Sequence, residues 1–284
     1  MPVRIVTDST ASLPAEIASE LGIKVVPLHV RFGTTDHREG VDLSTEEFYR
    51  LLESSPDHPA TSQPNPSEFA QAYAELDGND DIASIHLSTE LSKTAESASQ
   101  AAREMTDRQV EVMDSRLVSA PLAFSTIAAA RAAQQGATLS DIHKIVDDHA
   151  TRAHVALVVP TLEYLRRGGR IGTAAAFLGS VLNFMPVLEI RDGQVGPLTR
   201  ARSNNKAHVV IADYVRTQAP NGVESWAILH ANAPDQRDRL QHELADTLGA
   251  TGDMFADIPI GPVLGTHSGP GAFGFAFVAR PLDG

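Results

Sequence analysis

Three short polar segments of the chain carry the side chains best suited to chemistry: residues 59–64, 86–94 and 265–271. Their hydroxyl and imidazole groups are the hydrogen-bonding groups that a carboxylate needs in a partly dry site. In open α/β sheets, ligands bind beyond the carboxyl ends of the strands, where such segments gather. The candidate donors are Thr61, Ser62, Ser92, Thr94 and His267.

The same residue types have two other uses. Serine and threonine are most often helix caps and turn formers, and His267 fits a loop histidine whose hydrogen bonds are satisfied. Alternatively, Ser92 or Ser88 with His267 as its base would make a serine-dependent hydrolase or acyltransferase. Asp8 or Asp114 would then orient the imidazole. A hydroxyl that binds a carboxylate and one that attacks a carbonyl look alike in sequence, so these interpretations all stay open.

Several familiar motifs fail on their context. Residues 269–274 match G-x-G-x-x-G by letter, but only ten residues follow, too few for the helix and second strand of a dinucleotide site. His242-Glu243 begins a zinc-helix pattern that lacks its second histidine. The other histidines are scattered without ligand spacing. We therefore expect no cofactor and no metal.

Composition excludes further classes of protein. The 284 residues contain no cysteine, which rules out disulfides and a cysteine nucleophile and fits a cytoplasmic protein. A net charge of −13 argues against a nucleic-acid partner. Asp8 interrupts the first apolar run too early for a signal peptide, and no apolar stretch is long enough to cross a membrane. These features predict a soluble cytoplasmic chain without stable membrane insertion.

The elements that must position the polar segments follow an α/β pattern. Short β-branched runs alternate with helical patterns, which predicts a mainly parallel sheet in the first half of the chain. The pattern changes near residue 160, so we predict two α/β domains, residues 1–160 and 161–284. Asp192-Gly193 predicts a β-hairpin. Residues 59–64 are predicted as a loop ahead of a helix, and residues 265–271 as a turn between late strands.

Six short segments spread along the chain have a distinctive order and spacing. They are residues 5–11 (IVTDSTA), 25–28 (VVPL), 40–44 (GVDLS), 61–64 (TSQP), 164–171 (YLRRGGRI) and 265–271 (GTHSGPG). No single segment is specific, whereas their order and spacing are. Taken together, they resemble the DegV family of bacterial fatty-acid-binding proteins, over essentially the whole chain.

The resemblance implies a non-enzymatic protein of two α/β domains with a ligand tunnel between them. Such a protein holds one long-chain fatty acid and presents its carboxylate to a separate fatty acid kinase, which makes the acyl phosphate for phospholipid synthesis. By position, Thr61 and Ser92 match the hydroxyls that hold the carboxylate, with His267 close by. The basic positions assigned to the kinase-facing surface are Arg167, Arg170 and Arg202.

One departure from the family pattern lies next to the expected head-group site. Lys93 stands where the family usually has glycine, which adds a cation and removes backbone freedom. The basic stretch after the hairpin is also poorer in Arg and Lys than the family pattern.

The apolar residues expected to form the tunnel wall are Phe124, Phe177, Leu178, Val181, Leu182, Phe184, Met185 and Val187.

Overall fold

The computed structural model describes residues 2–179, 184–248 and 253–281, and within them the strands form three sheets. The strands are β1 Val3–Asp8, β2 Lys24–Val26, β3 His29–Phe32, β4 Thr35–Arg38, β5 Ala60–Ser62, β6 Asp81–His86, β7 Val110–Asp114, β8 Ala153–Val158, β9 Met185–Arg191, β10 Gln194–Ala201, β11 Val223–His230, β12 Asp253–Pro259 and β13 Phe273–Ala279. The helices are α1 Ala15–Leu21, α2 Thr45–Ser54, α3 Pro66–Ala74, α4 Thr94–Glu104, α5 Ala120–Gln134, α6 Leu139–Arg152, α7 Glu163–Arg167, α8 Asn204–Gln218, α9 Pro234–Leu248 and α10 Pro262–Ser268, with 3₁₀ turns at Ser9–Ala11 and Gly172–Phe177.

The first sheet confirms the predicted α/β architecture. Its strand order is β2-β1-β6-β7, and every pair is parallel. Side chains cap the starts of two helices: the Asn65 side chain makes a capping box at α3, and the Ser44 hydroxyl accepts the Glu47 N–H at α2. Because all four strands run the same way, the segments that follow them gather at one edge of the sheet.

The second sheet is mixed, with the order β10-β9-β8-β13-β11-β12. Only β11 and β12 pair in parallel among its described neighbours. The Asp192-Gly193 hairpin is confirmed between β9 and β10, and both residues have positive φ, 49° and 77°. β13 lies inside the sheet, and its Phe273, Phe275 and Phe277 side chains are fully buried.

The strand that precedes residue 160 joins the second sheet. β8 pairs with β9 on one side and with β13 on the other, both antiparallel. Residues 153–158 therefore share a sheet with strands that come later in the chain. The domain boundary at residue 160 remains a prediction.

The prediction of a loop at residues 59–64 needs correction. Ala60–Ser62 forms β5, which pairs antiparallel with β3, so that Thr61 faces Val30 across the ladder. β3 also pairs with β4, and these strands make a small sheet of order β4-β3-β5. Prolines at positions 59 and 64 flank β5, and they made the segment look like a loop in the sequence, although proline is common beside edge strands.

The prediction of a turn at residues 265–271 is wrong in its first half. Residues up to Ser268 belong to α10, which begins with Pro262 in its first turn, where the missing N–H costs nothing. The turn comes after the helix, at Gly269 and Gly271, which have φ of 73° and 81°. The helix places His267 near its own C-terminal end.

A hydrophobic core connects the sheets. One cluster of buried side chains joins Leu28, Val30 and Phe48 from the first part of the chain to Leu188 and Leu229 of the second sheet. Residues on both sides of residue 160 therefore exclude water from a common interior.

Candidate functional site

A cavity lies where the carboxyl edge of the parallel sheet faces the mixed sheet. It holds about 980 Å³ of empty space, including the part open to solvent. Its wall is mainly aliphatic and includes Val155 and Leu157 of β8, Leu188 and Ile190 of β9, Leu229 of β11, and Val263 of α10. Such a wall suits a long apolar ligand.

Six of the eight candidate tunnel residues lie outside the cavity wall. Phe124 and Val187 pack in hydrophobic clusters, and Leu178 is 46% exposed. Phe177, Phe184 and Met185 are also absent from the cavity wall. For these six residues the prediction is wrong, because an apolar run in sequence looks the same in a core as beside a cavity. For Val181 and Leu182, which fall outside the described residues, it stays a prediction.

One part of the cavity wall is polar, and two of the candidate donors meet there. Thr61 of β5 and His267 of α10 share a hydrogen bond of 2.9 Å between Oγ1 and Nε2. They are 206 residues apart in the chain. Ser62 and Ser92 also line the cavity. The sequence therefore identified four residues that the fold brings to one space.

The imidazole of His267 is held neutral. Burial, with the positive charges of Arg170 and His58, lowers the pKa of His267 to about 4. Its Nδ1 is buried without a hydrogen-bond partner among the described residues. A β-carbon at Gly168 would overlap this nitrogen, so only glycine fits behind the ring. A neutral, partly unsatisfied imidazole is ready to bind an anionic ligand, whose charge would favour its protonation.

Ser92 and Thr94 have different positions relative to the cavity. Their hydroxyl oxygens lie 2.9 Å apart and share a hydrogen bond. Ser92 lines the cavity, whereas Thr94 is fully buried at the start of α4 and supports Ser92 from behind. Lys93 between them is exposed and pairs with Glu96 at 3.8 Å. Its ammonium group is turned to solvent.

The structure does not bring the three candidate arginines together. Arg170 lines the cavity and donates to the carbonyl oxygens of Leu91 (3.0 Å) and Gly168 (2.7 Å). Arg167 lies on the surface, half exposed, in an ion pair with Glu163. Arg202 is exposed between β10 and α8. Arg170 is therefore a cavity residue, while Arg167 and Arg202 face solvent.

The buried carboxylate of Glu39, from the first part of the chain, holds α10 in place. Glu39 accepts hydrogen bonds from the Val263 N–H (2.8 Å) and the Ser9 hydroxyl (2.5 Å). The Tyr49 hydroxyl donates to the Ile260 carbonyl just before the helix. Burial raises the pKa of Glu39 to about 7. These contacts fix the helix that carries His267.

The contacts do not support a serine hydrolase. The His267 imidazole bonds to Thr61, and its other nitrogen contacts no carboxylate in the described part of the chain. Asp8 is occupied by the His86 ring and by the hydroxyl of Thr10. Asp114 accepts from Thr89 and Arg116 instead. The orienting acid that the triad requires is absent from its expected place.

Sequence reasoning missed several polar residues of the cavity wall. Gln63, Ser119, Glu189 and Ser268 line it in addition to the predicted donors. Gln63 and Ser268 adjoin predicted residues, which was a usable signal. Ser119 and Glu189 had none, because they come from elements that only the tertiary fold brings to the cavity.

Among the described residues, no group of three or more His, Cys, Asp or Glu side chains is placed to hold a metal ion. Within the same residues, no helix is both long and apolar enough to cross a bilayer.

Comparisons with known proteins agree on one family. The family model described as "Uncharacterised protein, DegV family" matches residues 2–280. A DegV domain-containing protein of Streptomyces coelicolor is 37% identical, covering 98% of this chain and 99% of the relative. A solved DegV family structure from Thermus thermophilus, described by its fatty acid binding, has a TM-score of 0.90 at 34% identity, covering 99% of this chain and 100% of that one. DegV of Bacillus subtilis, described as a fatty acid binding protein, has a TM-score of 0.90 at 30% identity over the same shares.

Proposed function

The chain belongs to the DegV family, and from that premise we propose that it binds one long-chain fatty acid and presents the carboxylate to a separate fatty acid kinase in the cytoplasm. The observation that carries the binding proposal is the aliphatic cavity with the Thr61–His267 pair on its wall. On this proposal the protein is a carrier, and the kinase supplies the chemistry.

The cavity wall supports the acyl chain by burial. Each methylene taken out of water contributes roughly 0.8 kcal/mol, so a long tail contributes on the order of 10 kcal/mol before ordering costs. The wall offers aliphatic side chains from β8, β9 and β11 of the mixed sheet and from α10. The acyl chain therefore supplies most of the binding free energy, and the head-group contacts add to it.

The polar wall supports the carboxylate by hydrogen bonding. A buried carboxylate without partners would raise its pKa or resist burial. The hydroxyls of Thr61 and Ser92 supply donors, and Arg170 supplies a positive charge at the same cavity. His267 is neutral in the empty site, and an anion beside it would favour its charged form.

Exposure at the polar wall supports presentation to a second protein. Ser62 and Gln63 line the cavity and are also solvent-exposed, so the head-group region reaches the surface there. Arg167, the exposed partner of Glu163, lies one residue from Gly168, which packs against His267. A kinase bound at this surface would contact the carboxylate without removing the chain from its cavity.

The first experiment is denaturing extraction of the purified protein, followed by mass spectrometry of the released lipids. We expect a long-chain fatty acid near one per chain in the wild type. The double variant Thr61→Ala/Ser92→Ala loses two head-group donors, so retention should fall about tenfold or more. Thr35→Ala, which removes an exposed hydroxyl from the same small sheet, is the matched control and should retain the lipid.

Two outcomes would contradict the proposal at different levels. A wild-type protein that carries no fatty acid, and takes up none when it is added, would end the carrier proposal. Unchanged retention in the double variant, with circular dichroism like that of the wild type, would remove only the head-group assignment.

A further inference from the structure

Ser119 is a buried polar residue that the proposed head-group site does not use. It lines the cavity at the start of α5, and only 6% of its surface is exposed. Its hydroxyl oxygen is buried and has no hydrogen-bond partner in the parts of the chain that the structure describes. It also makes no cap to its own helix, the ordinary use of serine at this position.

The backbone holds Ser119 in an uncommon conformation. Its φ is 61° and its ψ −145°, a region that glycine occupies far more readily than serine. The conformation is fixed by a hydrogen bond from the Ser119 N–H to the Thr10 carbonyl (3.0 Å) and by the helix that starts at the next residue. An alanine at this position would avoid burying an unpaired hydroxyl, yet the chain has a serine there, on the cavity wall.

The surroundings of Ser119 are those of the acyl chain rather than of the head group. Its neighbours Val118 and Ala120 belong to two hydrophobic clusters. Its hydrogen bond runs to Thr10, whereas the head-group pair joins Thr61 to His267. Among the described residues, no cation or imidazole forms a hydrogen bond with the Ser119 hydroxyl, and a lone hydroxyl is a poor partner for a full carboxylate charge.

We propose that Ser119 recognises an oxygen atom carried on the acyl chain, so that this site takes hydroxy or oxo fatty acids in preference to plain saturated ones. The inference rests on the proposed fatty acid binding and adds the substrate class. A plain chain leaves the Ser119 hydroxyl unpaired in an apolar space, which is unfavourable. A hydroxyl or carbonyl at the matching depth of the chain satisfies it.

The test compares two buried serines of the same helix. Delipidated wild type, Ser119→Ala and Ser125→Ala are titrated with stearic acid and with a series of monohydroxystearic acids that differ in hydroxyl position. Ser125 is the matched control, because its hydroxyl is also buried without a hydrogen-bond partner among the described residues but does not line the cavity. Ser119→Gly, which also suits the positive φ, replaces Ser119→Ala if that variant folds poorly.

We expect the wild type to prefer at least one hydroxystearic acid over stearic acid. Ser119→Ala should lower that preference about 3- to 10-fold, the range for one hydrogen bond, without weakening stearic acid binding. Ser125→Ala should leave the preference unchanged. Together these results would establish Ser119 as a specificity-determining residue.

Three results would overturn the inference. Equal losses for stearic and hydroxystearic acids in Ser119→Ala would make Ser119 a head-group donor instead. Unchanged affinities for both ligands would leave it with a structural role or a bound water. If the wild type binds stearic acid and prefers no hydroxystearic acid, the proposed substrate class is wrong and the proposed function stands. If the wild type binds neither ligand, the result counts against the proposed function itself.

Discussion

At the scale of residues, Glu39 and His267 both lie at α10, and their pKa values are shifted in opposite directions. Glu39 holds the first turn of α10, and His267 lies in its last turn. Burial raises the pKa of the Glu39 carboxyl to about 7 and lowers the pKa of the His267 imidazole to about 4. In both cases burial disfavours the charged form.

These shifts predict opposing effects of pH on stability. Between about pH 4 and 6.5 the unfolded chain binds more protons at His267, so that contribution to the free energy of unfolding rises with pH. Between about pH 4.5 and 7 the folded chain binds more protons at Glu39, so that contribution falls with pH. The measurement is urea unfolding of delipidated wild type, Glu39→Gln and His267→Gln from pH 4.5 to 7.5. Stability should rise more steeply with pH in Glu39→Gln and less steeply in His267→Gln.

The opposite signs make the two variants controls for each other. A substitution that merely loosened α10 would lower stability by a similar amount at every pH. Slopes that change in the same direction in both variants would contradict the assigned burial of one of the two groups.

The residues of the site were predictable in part. Thr61, Ser92 and His267 were identified from side-chain chemistry and from the family resemblance, and the fold places all three at the cavity. Arg170 was assigned to the kinase-facing surface from the family resemblance. Its guanidinium instead lies at the cavity and donates to backbone carbonyl groups, a placement that only the tertiary structure determines.

At the scale of elements, the two glycines that follow α7, Gly168 and Gly169, lie next to each other but differ in their surroundings, and Gly168 packs against the His267 ring. Gly168 has an ordinary backbone conformation, with φ of −74°, and a β-carbon there would overlap His267 Nδ1. Gly169 has φ of 69°, and a β-carbon there would meet nothing within 4 Å. The adjacent glycines are thus required for different reasons, one for space and the other for backbone freedom.

This difference predicts distinct effects of two alanine substitutions. Gly168→Ala should displace the imidazole from Thr61 and lower fatty acid retention, because the ring cannot share its space with a methyl group. Gly169→Ala should cost about 1 kcal/mol of stability through its positive φ and should leave retention near the wild-type level. Lipid extraction and urea unfolding measure the two effects. Equal retention by both variants would show that the position of His267 does not matter for binding.

The elements that carry the site were harder to predict than the regular ones. The long helices and the parallel strands agree with their sequence patterns because capping residues and β-branched runs mark them. β5 is three residues long between prolines, and α10 contains glycine and ends at Gly269-Pro270-Gly271. Their own propensities favour turns, and contacts to β3 and to Glu39 override them.

At the scale of the whole molecule, the proposed function predicts that a partner protein approaches from the side of the polar wall and the exposed arginines. Arg167 is paired with Glu163 on the surface near His267, and Arg202 is exposed at the start of α8. Charges at the rim of an interface mainly affect the rate of association.

Arg167→Ala should therefore retain the fatty acid yet slow acyl-phosphate formation by the cognate kinase severalfold, more strongly at low salt. The matched control is Arg50→Ala, because Arg50 is also exposed and paired with a glutamate on its own helix. The measurement is acyl-phosphate formation at a fixed low kinase concentration. Equal rates for wild type and Arg167→Ala would place the kinase contact elsewhere.

The path of the chain between the sheets was not predictable from local patterns. The alternation of strands and helices continues through β8, yet β8 leaves the parallel sheet and pairs with β9 and β13. Which sheet a strand joins depends on the strands available to pair with it. One of the two partners of β8 is β13, which lies more than a hundred residues later in the chain.

The position of β13 has a consequence for synthesis of the protein. β13 separates β8 from β11 in the mixed sheet, so until residues 273–279 have left the ribosome those two strands each present an unpaired edge. Unpaired apolar edges are the usual starting points of aggregation. A nascent chain stalled before this strand would be prone to aggregation, and on the proposed function fatty acid binding would wait for the strand that completes the sheet.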